Sequence, residues 1–151
     1  MLTEKDYCDY ETCVALKELG YKGISRFFYA TKESPLRRYS YDQILTTRIA
    51  DAVGHTLAIS LYVAQKWLRK EKEIYVTVIP EYNDYRPVKG VKYRLEVAHW
   101  KDDEFGYETI EWLDEECPHT IITFDSYEEA LSEGIKEAVK ILKNNGKDYQ
   151  V

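Results

Sequence analysis

VKYRLEVAHW, residues 91–100, decides the fold because polar and apolar side chains alternate along its whole length. A period of two is typical of a half-buried strand in an antiparallel sheet. The residues of the predicted inner face are Val91, Tyr93, Leu95, Val97 and His99. This segment therefore predicts an antiparallel sheet with one side buried.

Three shorter segments predict the neighbouring strands. IYVTVI (74–79) is rich in β-branched residues and is followed by Pro80, which we expect to end the strand. YETIEWL (107–113) predicts the returning strand, with a short helix as the alternative, and TIITF (120–124) predicts a brief apolar strand. The sheet is therefore expected to have three to four strands.

The helix after the sheet is predicted by FDSYEEALSEGIKEAV, residues 124–139. Ser126 and Glu129 have the spacing of a capping box, in which each side chain satisfies a backbone N–H at the helix start. Apolar residues recur every three or four positions and predict one buried stripe. Gly134 lies on that stripe, where its missing side chain predicts close packing on the sheet.

Two helices are predicted before the sheet. Asp9 is a good N-cap for a helix through ETCVALKEL (11–19), which Gly20 ends. Thr56 caps a predicted helix over LAISLYVAQKWLRKEK (57–72), which is apolar nearly all round at its start and basic at its end. Such a helix is expected to be buried at its start and to emerge into water at its end.

The segment between these two helices is less regular. Residues 24–30 predict an edge strand or a packed loop, and residues 37–38 are placed in a loop. YDQILTTRIADAV (41–53) predicts a helix capped by Ser40 and ended by Gly54. Its β-branched residues also suit a strand, so both alternatives stay open.

The predicted order defines an α+β fold, with a small antiparallel sheet of three to four strands covered by helices. The core has the order α-β-β-β-α and an extra N-terminal helix precedes it. At 151 residues the chain is expected to form one domain, 1–151. Within it, 1–54 is a possible N-terminal subregion packed on the 55–145 core.

Composition predicts a cytoplasmic protein with reduced thiols. The start MLTEKDYCDYE lacks the basic and apolar regions of a signal peptide. The longest uncharged stretch, 52–65, is too short to cross a bilayer, so no membrane partner is predicted. Three cysteines are an odd number and disfavour a disulfide framework.

Charge is unevenly distributed along the chain, although the net charge is only −6. Segments 17–48 and 66–94 each carry a charge of +4, whereas 96–133 carries thirteen acids and one base. An acidic segment of this kind could dock a basic protein or mimic nucleic acid. The alternative is a set of solvated faces with no binding role.

Three segments together resemble a family of small uncharacterised proteins from phages and integrated elements of gut anaerobic bacteria. They are DYETCVALKELGY (9–21), AQKWLRKEKEIYVTV (64–78) and SYEEALSEGIKEAVKIL (126–142). The chain departs from the family in lacking a proline at the start of the middle helix, near 55–57. The resemblance implies a cytoplasmic accessory role in a phage or mobile element, and it implies no activity.

The helix, three strands, helix order also resembles that of the double-stranded RNA-binding domain. In that domain a lysine cluster at the start of the second helix grips phosphates. Here the corresponding positions are Glu128 and Glu129, which would repel phosphate. The resemblance therefore extends to topology alone.

A basic and aromatic segment, YKGISRFFYATKESPLRRYSY (21–41), is the first candidate site. Its bases could follow a phosphate backbone while its rings stack on nucleobases. The candidate residues are Lys22, Arg26, Lys32, Arg37, Arg38, Phe28 and Tyr39. The alternative is that the rings belong to the core and the bases form its solvated flank.

Cys117 and His119 are the second candidate, for metal binding or a cysteine–histidine catalytic pair. Two ligands are too few for zinc, and no oxyanion motif accompanies the pair. Further ligands would have to come from Cys8, Cys13, His55 or His99. The pattern is more typical of a turn before a strand, so no metal and no other cofactor is predicted.

The other polar clusters have structural interpretations. His99 is expected to be a core histidine, and His55 to lie at a corner between two helices. The acidic runs 102–104 and 114–116 lack the alternating ligands and glycine of a calcium loop. We expect them to be solvated ends of hairpins.

These observations favour a small non-catalytic accessory protein that binds another protein through the acidic segment 96–133, for which a basic partner would be complementary in charge. The first alternative is nucleic-acid binding through 21–41. The least favoured alternative is an enzyme that uses Cys117 and His119. A homodimer is compatible with the exposed strands and aromatic residues that are predicted.

Overall fold

The computed structural model describes residues 2–39, 44–82, 91–100, 107–111 and 122–148. It divides into two compact units, one of Met1–Ala64 with Leu142–Val151 and one of Gln65–Ile141. Each unit combines helical and antiparallel strand segments, so the α+β prediction is confirmed. The prediction of one domain, with 1–54 packed on 55–145, stays a prediction.

The second unit is built on a three-stranded antiparallel sheet. Its strands are β6 (Ile74–Tyr82), β7 (Val91–Trp100) and β8 (Tyr107–Glu111), in the spatial order β6-β7-β8. Val97 in the central strand pairs with Val76 on one side and Ile110 on the other. The alternation in 91–100 therefore predicted the central strand correctly.

The predicted inner face of β7 is buried at Leu95, Val97 and His99 and half-buried at Val91 and Tyr93. Leu95, Val97 and His99 are at most 7% exposed, and His99 lies opposite Ile74, which is also buried. Lys92, on the other face, is exposed. His99 is therefore a core residue, and the sheet has one packed face and one face that reaches solvent.

Helix α4 (Tyr127–Asp148) covers this sheet. The Ser126 hydroxyl accepts a 3.1 Å hydrogen bond from the Glu129 N–H, which confirms the serine half of the predicted capping box. The apolar stripe is buried at Leu131, Gly134 and Ile135. Gly134 meets the side chains of β6 and β7, so the predicted close packing is confirmed.

Two predicted strand boundaries of the second unit are different in the structure. β6 does not end before Pro80 but continues to Tyr82, and Pro80 pairs with Tyr93. β6 is an edge strand in the described sheet, where a residue without an N–H can be accommodated. In the predicted strand 120–124, Phe124 forms one antiparallel bridge to Tyr93, and residues 120–121 lie outside the described residues.

The first unit begins with a short 3-10 helix, Glu4–Asp6, and helix α1 (Tyr10–Glu18). The Asp9 carboxylate accepts a 2.8 Å hydrogen bond from the Thr12 N–H, so the predicted N-cap is confirmed. Gly20 ends the helix with a φ of 104°, a conformation that favours glycine. The buried side of α1 includes Cys13 and Leu16.

Very short strands follow α1. β1 (Ile24–Ser25) pairs with β4 (Leu45–Thr46), and β2 (Phe27–Tyr29) lies between β3 (Arg37–Arg38) and β5 (Thr56–Leu57). Of the two alternatives predicted for 24–30, a strand or a packed loop, the structure has the strand, divided into β1 and β2. The predicted loop at 37–38 is wrong, because both residues pair with β2.

The predicted helix over 41–53 is wrong at its start. Helix α2 spans only Thr47–Ala52, and the Thr46 hydroxyl accepts its capping bond from the Ile49 N–H at 3.2 Å. The preceding residues form β4, as their β-branched composition allowed. The predicted cap, Ser40, lies outside the described residues.

The middle helix also starts later than predicted. Helix α3 spans Leu61–Lys72, and the Ser60 hydroxyl accepts a bond from the Val63 N–H at 3.2 Å. Thr56, the predicted cap, instead pairs with Tyr29 in β5. In β5 the pairing with β2 leaves both Thr56 and Leu57 buried, and the β-branched Thr56 suits a strand.

Candidate functional site

The predicted basic and aromatic segment forms a strand pair in which rings and arginines face each other. Phe27 lies opposite Arg38, and Phe28 lies opposite Arg37. The Tyr39 N–H donates a 2.8 Å hydrogen bond to the Arg26 carbonyl, which extends the pairing by one step. The structure therefore brings together Arg26, Arg37, Arg38, Phe28 and Tyr39.

The aromatic residues of this segment are used in packing. Phe28 is 8% exposed and stacks on the His55 ring, with centroids 4.6 Å apart. Tyr39 meets Phe28 edge to face at 5.8 Å. The buried Tyr29 hydroxyl donates to the Cys8 carbonyl at 2.7 Å. The structure thus favours the alternative in which these rings belong to the core.

His55 was expected at a corner between two helices, and this is wrong. His55 lies between α2 and β5, and its backbone N–H donates a 2.8 Å hydrogen bond to the Ala50 carbonyl. The ring completes the packing around Phe28. The difference has the same cause as the late start of α3, since β5 replaces the first turn of the predicted helix.

The basic candidates all lie at the surface. Lys32 forms a 3.0 Å ion pair with Glu11, which reduces its availability for a ligand. Lys22, Arg26, Arg37 and Arg38 are exposed and have no ion pair with another described residue. Within the part of the chain that the structure describes, these four cations are therefore available to an anionic partner.

A groove next to this segment was not predicted from the sequence. It encloses about 240 Å³, and we call it the Tyr7–Phe27 groove after the two rings that pack 5.1 Å apart in its wall. Its lining residues are Leu2, Tyr7, Tyr21, Ile24, Ser25, Arg26, Phe27, Ala58, Ile59, Ser60 and Val63. The lining is thus apolar apart from two serines, two tyrosines and one arginine.

Backbone hydrogen bonds hold the groove wall. The Cys8 N–H donates to the Ile59 carbonyl at 2.9 Å, and the Ala58 N–H donates to the Phe27 carbonyl at 3.0 Å. Tyr7 and Ser60 form an isolated antiparallel bridge. These bonds join three segments that are far apart in sequence, so the groove is a preformed feature of the unit.

Three large aliphatic side chains of the groove remain exposed. Leu2 is 48% exposed, Ile24 is 64% exposed and Val63 is 46% exposed. Such residues are ordinary when scattered, but a cluster around one concave surface is typical of an interaction site. Sequence reasoning missed it because the residues come from the N-terminal segment, β1 and α3.

The groove phenols are uncharged near neutral pH. Desolvation is the main cause that raises the pKa of Tyr7, and the nearby Asp6 carboxylate adds to the effect. Burial likewise raises the pKa of Tyr21. Arg26 is therefore the charged group of the lining, and a complementary ligand would carry an anion beside an apolar group.

The acidic segment 96–133 is only partly described. Among its described carboxylates, Glu96 pairs with Arg94 at 2.5 Å, Asp125 pairs with Lys92, and Glu133 pairs with Lys136 at 3.4 Å. The acidic runs 102–104 and 114–116 lie outside the described residues. Partial neutralisation by neighbouring bases weakens the described part of this segment as a docking surface.

The remaining chemical candidates have no counterpart in the described part of the chain. Cys117 and His119 lie outside it. Within it, no three histidine, cysteine or acidic side chains are grouped so that they could hold a metal ion. None of the helices found there combines the length and the apolar character that a membrane span requires.

Comparisons of the chain with protein-family models, with curated proteins and with solved structures find no match. The resemblance to proteins of phages and integrated elements therefore stays a prediction.

Proposed function

We propose that this protein is a small non-catalytic accessory protein that binds another protein through the Tyr7–Phe27 groove. The observation that carries the proposal is the cluster of Leu2, Ile24 and Val63, which stay exposed around one aromatic-walled concavity. Burying these side chains under a partner would remove apolar surface from water, a favourable contribution of about 25 cal/mol per Å² before the costs of association are subtracted. A folded monomer gains nothing from their exposure.

The size of the groove supports a protein partner over a free small molecule. Pockets for drug-sized ligands usually enclose about 300–1,000 Å³. The volume here, about 240 Å³, suits one large anchoring side chain of a macromolecular partner. Binding energy in protein interfaces is concentrated in a few such anchors.

Protein binding was also the leading prediction from the sequence, but there it was assigned to the acidic segment 96–133. The groove is now the better supported surface, because several described carboxylates of that segment pair with bases of the chain. The prediction of a basic partner applies to the acidic segment 96–133 and not to the groove. It remains a prediction, as do a homodimer and an origin in a phage or mobile element.

Two matched substitutions test the proposal. A library of random peptides displayed on phage is selected against the immobilised full chain, and the selected peptides are measured against Val63→Asp and Val53→Asp. Both valines are exposed, at 46% and 53%, but only Val63 lines the groove. We expect Val63→Asp to weaken binding at least tenfold and Val53→Asp to change it less than about twofold. Equal effects of the two substitutions, or no selected peptides, would contradict the proposal.

Nucleic-acid binding is the second candidate function. It is favoured by the exposed arginines Arg26, Arg37 and Arg38, which form no ion pair with other described residues. Burial of Phe28 removes one ring that single-strand binding would use for stacking. What remains is electrostatic attraction to phosphate, which is weak and sensitive to salt.

A further inference from the structure

Charged and apolar side chains alternate at the edge of the groove. From Lys22 to Arg26 exposure alternates, so Lys22, Ile24 and Arg26 are exposed and the intervening Gly23 and Ser25 are half-buried. The alternation matches an extended backbone, in which every second side chain points the same way. The segment therefore presents Ile24 and Arg26 in the groove lining, with a second cation, Lys22, two residues before Ile24 and outside the lining.

The two cations have no partner of opposite charge among the described residues. The nearest acids in sequence to Leu2 and Tyr7 are those of the 3-10 helix. Among them, Asp6 already accepts hydrogen bonds from the Thr3 N–H at 2.6 Å and from the Tyr62 hydroxyl at 3.2 Å. Asp6 stays negatively charged, since these hydrogen bonds lower the pKa of its carboxyl group, but it forms no ion pair with Lys22 or Arg26. Arg26 therefore places a positive charge in the lining of the apolar concavity.

We infer that the partner segment is an acidic linear peptide whose large apolar side chain enters the groove while a neighbouring carboxylate pairs with Arg26. The inference rests on the proposed function and specifies its ligand. A guanidinium can bind a carboxylate through two parallel hydrogen bonds, which fixes the position of a peptide as well as its charge. Lys22 provides a second, less directional contact for an acidic residue on the other side of Ile24.

The inference excludes two other kinds of partner. A basic peptide would place its charges against Lys22 and Arg26, and like charges in an interface are destabilising. A nucleic acid would pair its phosphates with the cations, but its bases stack best on aromatic faces, whereas the exposed groove side chains Leu2, Ile24 and Val63 are aliphatic. An acidic peptide satisfies both the charge and the apolar surface.

The test combines the peptide selection with a charge reversal. We expect the selected peptides to be enriched in aspartate and glutamate next to leucine, isoleucine, phenylalanine or tryptophan. Their binding should weaken about tenfold in Arg26→Glu, the loss expected for one charge-assisted hydrogen-bonded pair. Arg37→Glu is the matched control, since Arg37 is exposed and makes the same charge change outside the groove lining. A peptide whose acids are replaced by lysine should bind Arg26→Glu better than it binds the unchanged chain.

The outcomes separate the inference from the proposed function. The inference would be overturned, and the proposed function left intact, by peptides whose binding is weakened by Val63→Asp but which lack acidic residues. Peptides whose binding is unchanged in Arg26→Glu would have the same consequence. Equal losses in Arg26→Glu and Arg37→Glu would also overturn it, since they would indicate a diffuse field. If no peptide depends on Val63, while labelled RNA binds at physiological salt and requires Arg26, both proposals fall.

Discussion

Gly134 of α4 lies so close to Val76 of β6 that no side chain fits between them. A Cβ at position 134 would lie 2.7 Å from Leu95 Cδ1 and closer still to Val76 Cγ1. Gly134→Ala would gain about 1 kcal/mol of helix propensity. The overlap costs more, because overpacking a core costs about 1–3 kcal/mol. We expect the free energy of unfolding in urea to fall by about 1 kcal/mol.

The control for this prediction is the same substitution in a Val76→Ala background. Removing the Val76 methyl groups makes room for the new Cβ, so Gly134→Ala should then cost less, and the two substitutions should be non-additive. A Gly134→Ala variant that is more stable than the unchanged chain would contradict the packing described here.

Asp9 gives a prediction for the first unit. Its carboxylate accepts a hydrogen bond from the Thr12 N–H, and the substitution Asp9→Ala removes this cap. We expect a loss of about 1 kcal/mol in the free energy of unfolding, which is typical for an N-cap. Asp9→Asn keeps an acceptor oxygen and should lose much less. If both variants are equally destabilised, the carboxylate has a role other than capping.

Stability should fall in alkaline solution. Cys13 and burial raise the pKa of the Cys8 thiol above 9.0, and burial raises the pKa of Tyr29 above 10.0. Both groups are neutral when protonated, so the folded state keeps protons that the unfolded chain releases. Their contribution is complete below about pH 9 and is lost progressively as the pH rises further.

The slope of this loss is about 1.4 kcal/mol per pH unit for each group that must release its proton on unfolding. Urea unfolding at several pH values between about 8 and 11 measures it. Tyr29→Phe removes one such group, and it should make the alkaline slope shallower although it also loses the hydrogen bond to the Cys8 carbonyl. A slope that is unchanged by Tyr29→Phe would show that Tyr29 ionises equally in both states.

The sequence predicted those elements whose pattern is long enough to show a period. The ten residues of β7 alternate without interruption, and the stripe of α4 repeats over several turns. β1, β3, β4 and β5 have only two residues each, and two residues carry no period. Thr56 has the chemistry of a helix cap as well as of a strand, and only its pairing with Tyr29 decides between them.

The same reasoning explains why the groove could not be predicted. Leu2, Ile24 and Val63 are each unremarkable in their own segment, and their proximity depends on the hydrogen bonds from Cys8 to Ile59 and from Ala58 to Phe27. The basic candidates were easier to predict, because charged side chains nearly always lie at the surface. The aromatic residues of the same segment could belong to the core or to a stacking surface. The sequence is the same in both cases, so it could not decide between them.

The last prediction concerns nucleic acid. We expect labelled mixed-sequence DNA and RNA to bind the chain weakly at low salt and not measurably at physiological salt, since the contact is limited to phosphates. Replacing Arg37 and Arg38 by alanine should lower the salt slope by up to about two. The control is Lys66→Ala with Lys70→Ala, which removes the same charge from exposed positions of α3 and should have the smaller effect. Fluorescence anisotropy over a salt series measures both quantities. Binding that persists at physiological salt would contradict a contact limited to a few phosphates, and it would favour nucleic-acid binding over the proposed function.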